Sequence, residues 1–308
     1  MTGGAAGYVF PENFTKTLKA RHEILKAIRN YFDTENYLEV ETPLRILSPG
    51  IDPYIDAVHA GKGYYLSPSP ELQMKRLLTL GLPRIYQITH AFRDNEHGAL
   101  HNEEFTMLEW YRCETDYTGI MAETEQLLNY LLHDSPAGIE VTSSYAFPFL
   151  RISVDDLFRS RAAWQPSRQW DEDRFYLDWI DKIEPYLKTL AAVFVFDFPA
   201  PLASLAKLKD DNPLLCERFE LFMCGLEIAN AFTELTDPIE QTRRFKDAQQ
   251  SRLRMGKENY EIDCKFINAL QHGIPACAGA AVGIDRLIMA LLGLKDISLV
   301  QSFPAGRL

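Results

Sequence analysis

The chain has 308 residues, 46% of them hydrophobic, a formal net charge of −11 and five cysteines. That length suits one large domain or two small ones, and the acidic balance argues against a broad nucleic-acid footprint, which needs clustered Lys and Arg to displace counterions. No apolar run reaches the roughly 18 residues of a membrane span, Met1 to Gly7 lacks the pattern of a signal peptide, and Cys113, Cys216, Cys224, Cys264 and Cys277 form no C-x-x-C pair, so they read as reduced cytosolic thiols.

Leu18, Leu25, Ile28 and Phe32 recur at helical spacing and predict a helix over 14–32. An extended segment follows from Asn36 and is stopped by Pro43. Ser69-Pro70 supplies an N-terminal signal for a helix over 71–80. Two apolar-aromatic runs, 84–93 and 103–112, flank a polar loop as in a β-hairpin. Tyr117 to Leu132 reads as a helix. The stretch 160–185, rich in Trp and charge, carries no chemical pattern and reads as helical insertion or packing material. Ala192 to Phe198 has the composition of a buried strand, ended by Pro199 and Pro201. Phe219 to Leu235 reads as paired strands, Pro238 to Met255 as a charged surface helix, and Ile284 to Leu292 as a buried helix. No repeat, linker or low-complexity tract divides the chain, so a single domain over 1–308 is expected.

The hairpin carries the densest chemistry. Arg93 ends its first arm and His101-Asn102 opens its second, a layout that offers cations to phosphate oxygens and Phe105 to a base. Phe105, Met107, Glu109 and Tyr111 share parity and therefore a face. Alone, that strand would read as an ordinary half-buried amphipathic strand; joined to Arg93 and His101-Asn102, it reads as part of a site.

Glu220 and Glu227 lie seven apart, on opposite faces of a straight strand. A tight turn at Cys224-Gly225 sets Met223 opposite Leu226 and Phe222 opposite Glu227, which returns Glu220 to the face of Glu227 at a diagonal separation of roughly 7 Å. Two carboxylates at that spacing suit magnesium with phosphate oxygens, although spacing alone favours two ordinary solvated strand carboxylates by about twofold. Asn230, Phe232 and Glu234 have the opposite parity to Glu227. A bulge between Glu227 and Asn230 is required for all of them to line one cavity, and it would leave Glu234 a buried carboxylate suited to a cationic ligand. Gly279 to Arg286 joins a small-residue strand, able to approach a nucleotide closely, to the last helix. His22, His59, His90, His133 and His272 have no metal-ligand spacing, and no P-loop, HExxH or GxSxG string occurs.

Taken together, the string Phe-Thr-Met-Leu-Glu-Trp-Tyr at 105–111, the helix–strand–Pro43 unit and Gly279–Arg286 resemble motifs 2, 1 and 3 of the class II aminoacyl-tRNA synthetases. The match runs from about Phe14 to the C-terminus. It is similar to the lysyl branch, and within it to the short bacterial paralogues that lysylate elongation factor P. The core begins near residue 14, which predicts no anticodon-binding domain, and Ala281 stands where lysyl-tRNA synthetases have glycine.

The resemblance implies an α+β fold, an antiparallel sheet flanked by helices. It also implies a cytoplasmic homodimeric ligase that uses ATP and Mg2+, with lysine or (R)-β-lysine and elongation factor P as partners and neither tRNA nor membrane. It assigns Arg93 to the α-phosphate and substrate carboxylate and Arg286 to the γ-phosphate, both as catalytic groups. Asn95, His101, Asn102, Phe105, Glu227, Ile228 and Gly283 would contact ATP, and Glu220 and Glu227 would hold magnesium. Ser69, Pro70, Glu71, Tyr111, Asn230, Phe232, Glu234 and Ala281 would form the amino-acid pocket. One departure stands out: the family's Arg-x-Glu becomes Arg93-Asp94-Asn95, with Glu96 next, so either Asn95 bonds the adenine edge or Glu96 takes that place. A truncated synthetase with a tRNA or small-molecule acceptor, and a synthetase-like regulatory module without catalysis, remain as alternatives.

Overall fold

A computed structural model of the protein describes residues 11–12, 14–134 and 145–305. Its centre is an eight-stranded sheet in the order β1-β4-β5-β10-β9-β8-β7-β6, antiparallel except for the outermost pairs β1–β4 and β6–β7. The strands are β1 (Leu38–Glu39), β4 (Arg84–Phe92), β5 (Glu104–Cys113), β6 (Leu150–Ser153), β7 (Ala192–Pro199), β8 (Leu215–Met223), β9 (Leu226–Thr233) and β10 (Cys277–Gly283). A separate short ribbon pairs β2 (Arg45–Ile46) with β3 (Tyr65–Leu66).

Alternation along the strands divides the two faces. Leu108, Trp110, Ala278, Ala280, Val282, Ala229 and Ala231 turn to one side and are buried under α1 (Phe14–Thr34), α3 (Tyr117–Asn129) and α9 (Ile284–Leu292). In α1 the residues Ile24, Ala27, Ile28, Tyr31 and Phe32 form one apolar stripe. Phe32 stacks on Tyr86 with ring centroids 4.6 Å apart and packs on Trp110 at 5.4 Å. The opposite face is covered only at its flanks. On one side lie α2 (Glu71–Leu77), α7 (Pro238–Arg254) and α8 (Cys264–His272); on the other lie α4 (Val154–Arg161), α5 (Glu172–Asp178) and α6 (Glu184–Leu187). Between these flanks the middle strands remain open, and the cavity lies there.

The sequence expectations meet the structure with several adjustments. Only Leu38–Glu39 of the extended segment joins the sheet, with Val40 N–H adding one bond to Tyr86 O at 2.9 Å. The helix over 71–80 is α-helical to Leu77 and tightens to a 3-10 turn over 78–80, closed by Gly81 at φ 79°. The helix from Tyr117 widens after Asn129 into a π turn over 130–134. Residues 160–185 do form helical packing material, in which Phe175 stacks on Phe158 of α4 and Trp164 Nε1 donates to the buried Asp178 carboxylate at 2.8 Å. β6 and α8 have no counterpart in the sequence reading.

The helix over 238–255 is present, but it is not purely a surface element. Arg252 at its end is fully buried, because its guanidinium donates to the carbonyls of Glu258, Asp52 and Ile55 and to the Asp56 carboxylate at 2.6–2.8 Å. Those bonds staple the segment around 52–56 to α7 and so fix one rim of the cavity. Among the described residues no helix is long and apolar enough to cross a membrane.

Candidate active site

Strand register builds the site. Glu109 of β5 lies opposite Ala281 of β10, Ala281 opposite Asn230 of β9, and Asn230 opposite Glu220 of β8. One row along, Tyr111, Gly279, Phe232 and Arg218 follow one another in the same way. Gly279 is required here, since a Cβ would overlap the Tyr111 ring. The β8–β9 turn is tight, with φ of 50° at Cys224 and 77° at Gly225, the left-handed pair that a two-residue hairpin favours. Phe222 pairs with Glu227, yet Leu221 pairs with Ala229, so Ile228 is the extra residue of a bulge. That bulge resets parity and lets Glu227 and Asn230 line one wall.

The resulting cavity has a volume of about 290 Å³. Arg93, His101, Asn102, Phe105, Glu227, Ile228, Gly283 and Arg286 line one end; Ser69, Glu71, Tyr111, Asn230, Phe232, Glu234 and Ala281 line the rest. Three predicted residues are not in its wall. Pro70 is buried at the cap of α2, outside the lining, while Ser69 Oγ accepts from the Glu71 N–H at 3.1 Å. Asn95 is exposed: its φ of 63° turns the loop so that Glu96 lines the cavity instead, 3.7 Å from Arg93. Glu220 sits just behind the lining, its carboxylate bonded by Arg218 at 2.6 Å.

At the first end the Arg93 guanidinium lies over the Phe105 ring, 5.1 Å from its centroid, and its buried Nε has no hydrogen-bond partner among the described residues. Arg286 donates to Leu100 O and Glu227 O, and its Nη2 donates to His101 Nε2 at 2.6 Å. His101 must then be neutral there, and burial with the Arg286 charge lowers its pKa. Asp285 fixes the start of α9 by bonding Arg21 at 2.6 Å and the Thr106 N–H at 2.8 Å. The Asn102 amide is already engaged, donating to Glu104 O and accepting from Ala305 N.

At the second end three carboxylates converge. Glu109 accepts from Tyr111 OH at 2.5 Å and Ser69 Oγ at 2.8 Å. Burial and the Glu71 charge push its pKa up to about 7. Glu234, 4% exposed, is pushed up to about 8, chiefly by burial, with Glu71 adding to the rise and Lys75 opposing it. Its Oε2 touches Lys75 Nζ, while Oε1 has no hydrogen-bond partner among the described residues. A buried carboxylate oxygen left unmatched is costly, and a cation in the cavity would satisfy it. Sequence reasoning missed Lys75 and Arg218; a lysine on an amphipathic helix and an arginine two residues before a glutamate carry no distinctive signal.

Glu227 and Glu220 are close enough to repel. Burial, then the Glu227 charge, push Glu220 up to about 7 although Arg218 opposes the rise. That residual repulsion fits a divalent cation arriving with phosphates. Among the described residues no group of three or more His, Cys, Asp or Glu side chains is arranged to hold a metal without such help.

Comparison with known proteins agrees with this architecture. The family model for class II tRNA synthetases (D, K and N) matches residues 8–307. The chain belongs to the class II tRNA synthetase family. Within this family it is similar to the elongation factor P–(R)-β-lysine ligase of Vibrio cholerae, with 39% identity covering 94% of this chain and 95% of that protein. The proteins of the same name from Yersinia enterocolitica and Pasteurella multocida are 38% and 36% identical, over 94% and 95% of this chain and 95% and 96% of their own lengths. The class II synthetase core accounts for the mostly antiparallel sheet, for the hairpin bearing Arg93, and for the strand–helix junction bearing Arg286.

Proposed function

We propose that the protein activates lysine, preferably (R)-β-lysine, as an adenylate and transfers it to the ε-amine of a lysine on elongation factor P. The observation that carries the reading is the buried, half-satisfied Glu234 at the end of a cavity whose other end presents Arg93, Phe105 and Arg286. The names of the similar proteins support the same acceptor and amino acid.

In the first half-reaction the lysine carboxylate attacks the α-phosphorus of ATP, and the bond to pyrophosphate breaks. Arg93 would hold the α-phosphate and carboxylate, Phe105 the adenine, and Arg286 would exchange its contacts with His101 and Leu100 O for the γ-phosphate. In the second, the acceptor amine attacks the acyl carbon and AMP leaves. Glu227, backed by Glu220, would hold Mg2+, which when bound neutralises phosphate charge. We further read the protein as a cytoplasmic single-domain homodimer that does not charge tRNA; Leu38, Leu44 and Leu47, exposed at 51%, 41% and 61%, support self-association.

The direct test is the intact mass of elongation factor P after incubation with ATP and each lysine isomer, with tRNA acylation measured in parallel. A lysyl mass increment on the protein is expected; charging of tRNA alone would defeat the reading.

Two further results are expected. Ala281 lies between Glu109 and Asn230, so Ala281→Gly enlarges the pocket by one methyl and shifts the kcat/KM ratio toward α-lysine by about tenfold. Competition between the two isomers in pyrophosphate exchange measures this. The KM for lysine also falls as pH rises from 6 to 8. Glu109 and Glu234, pushed up to about 7 and about 8, are protonated below those values and become acceptors for an ammonium above them. A KM independent of pH across that window would contradict the assignment.

A further inference from the structure

Lys75 is fully enclosed on α2, with 3% of its side chain exposed, and its ammonium meets Glu71 Oε1 at 2.5 Å and Glu234 Oε2. The Phe232 and Tyr111 rings stand 5.1 and 5.8 Å from the same nitrogen. Yet Lys75 is not part of the cavity lining, whereas Glu71, Glu109 and Glu234 are. The cation therefore stands behind the carboxylates and holds one oxygen of Glu71 and one of Glu234 away from the cavity.

We propose that Lys75 is a positioning residue for amino-acid selection, an internal counterion that orients Glu71 and Glu234 and sets the pocket charge so that it accepts a substrate with two ammonium groups. This rests on the amino-acid-activating reading above. Fully ionised, Glu71, Glu109 and Glu234 carry three negative charges against the single positive charge of Lys75, so a diamino acid balances the pocket and a monoamino acid does not. The titratable groups facing the cluster are Glu71 on α2, Glu109 and Tyr111 on β5, Cys277 on β10, and Glu234 after β9. Burial alone would lower the Lys75 pKa, but the charges of Glu234 and Glu71 outweigh it and raise it, so the ammonium persists throughout the working range.

The test compares wild type, Lys75→Met and the charge-compensated double variant Lys75→Met/Glu71→Gln. Lysine-stimulated pyrophosphate exchange is read from pH 6 to 9, with norleucine as the monoamino competitor and calorimetric lysine binding alongside. Lys75→Met is expected to raise the KM for lysine at least about tenfold, leave the KM for ATP within about twofold, and move the midpoint of the KM–pH profile upward, because Glu234 loses its counterion. The double variant restores the charge count and is expected to recover discrimination against norleucine and part of the lysine KM lost in Lys75→Met, although it lacks the Glu71 carboxylate, which a purely space-filling role for Lys75 would not produce. A folded Lys75→Met with unchanged lysine KM, pH profile and norleucine discrimination overturns the inference. If that variant does not fold, the double variant decides on discrimination: norleucine excluded as by wild type supports the inference, and norleucine accepted as well as lysine overturns it. Wild type that binds lysine without any exchange defeats the activation reading alone, and calorimetry on the variants then decides the role of Lys75. Wild type that binds no lysine overturns both.

Discussion

Arg93→Ala is expected to lower the lysine-dependent exchange rate by about 10²- to 10³-fold, with a smaller change in the KM for lysine. The guanidinium is pre-positioned. Arg93 directly follows β4, its backbone N–H is bonded to Glu103 O at 2.9 Å, and its guanidinium lies over Phe105 with a buried Nε awaiting an acceptor. A group held ready in this way for charge that develops on the α-phosphate contributes to the rate more than to ground-state binding. Single-turnover exchange with saturating ATP separates the two. A variant that kept kcat and lost only ATP affinity would place Arg93 on the nucleotide rather than on the reacting centre. Arg93→Lys would rescue little, because a point charge does not reproduce the planar donor fork.

The second large effect belongs to Glu234. Glu234→Gln keeps the shape of the side chain but removes the charge that faces the cavity, and it leaves Lys75 with Glu71 as its remaining carboxylate contact. Truncating one partner of a buried charge pair costs about 2–5 kcal/mol, so the KM for lysine should rise by about 10²-fold or more, with the KM for ATP little changed. The pH dependence should flatten at the same time, since the group pushed up to about 8 no longer titrates. If Glu234→Gln responded to lysine and to pH as wild type does, the amino-acid end of the cavity would have been assigned to the wrong place.

Much of this site could be read from the chain because it obeys strand parity. Phe105, Met107, Glu109 and Tyr111 all line the cavity, as a period of two requires. The bulge needed to reconcile Glu227 with Asn230 occurs at Ile228, within the predicted interval. What escaped prediction depends on local backbone geometry or on tertiary burial. The left-handed φ of Asn95 turns Glu96 rather than Asn95 to the cavity, a choice between the two that spacing alone leaves open. Lys75 and Arg252 are long cationic residues on helices, where solvent exposure is the ordinary outcome, and only the converging acceptors of the fold bury them. β6 is four residues of mixed polarity whose pairing with β7 is parallel and distant in sequence, which leaves no local pattern to detect.

β10 also places two very different neighbours two residues apart. At 279 the Tyr111 ring already occupies the space of a side chain, whereas Ala281 lines the cavity. Descendants of this scaffold are therefore free to explore new amino-acid preferences at 281 by gaining or losing a methyl. At 279 nearly every exchange would displace the aromatic ring, so diversity at one position and monotony at the other is the evolutionary imprint expected of this strand.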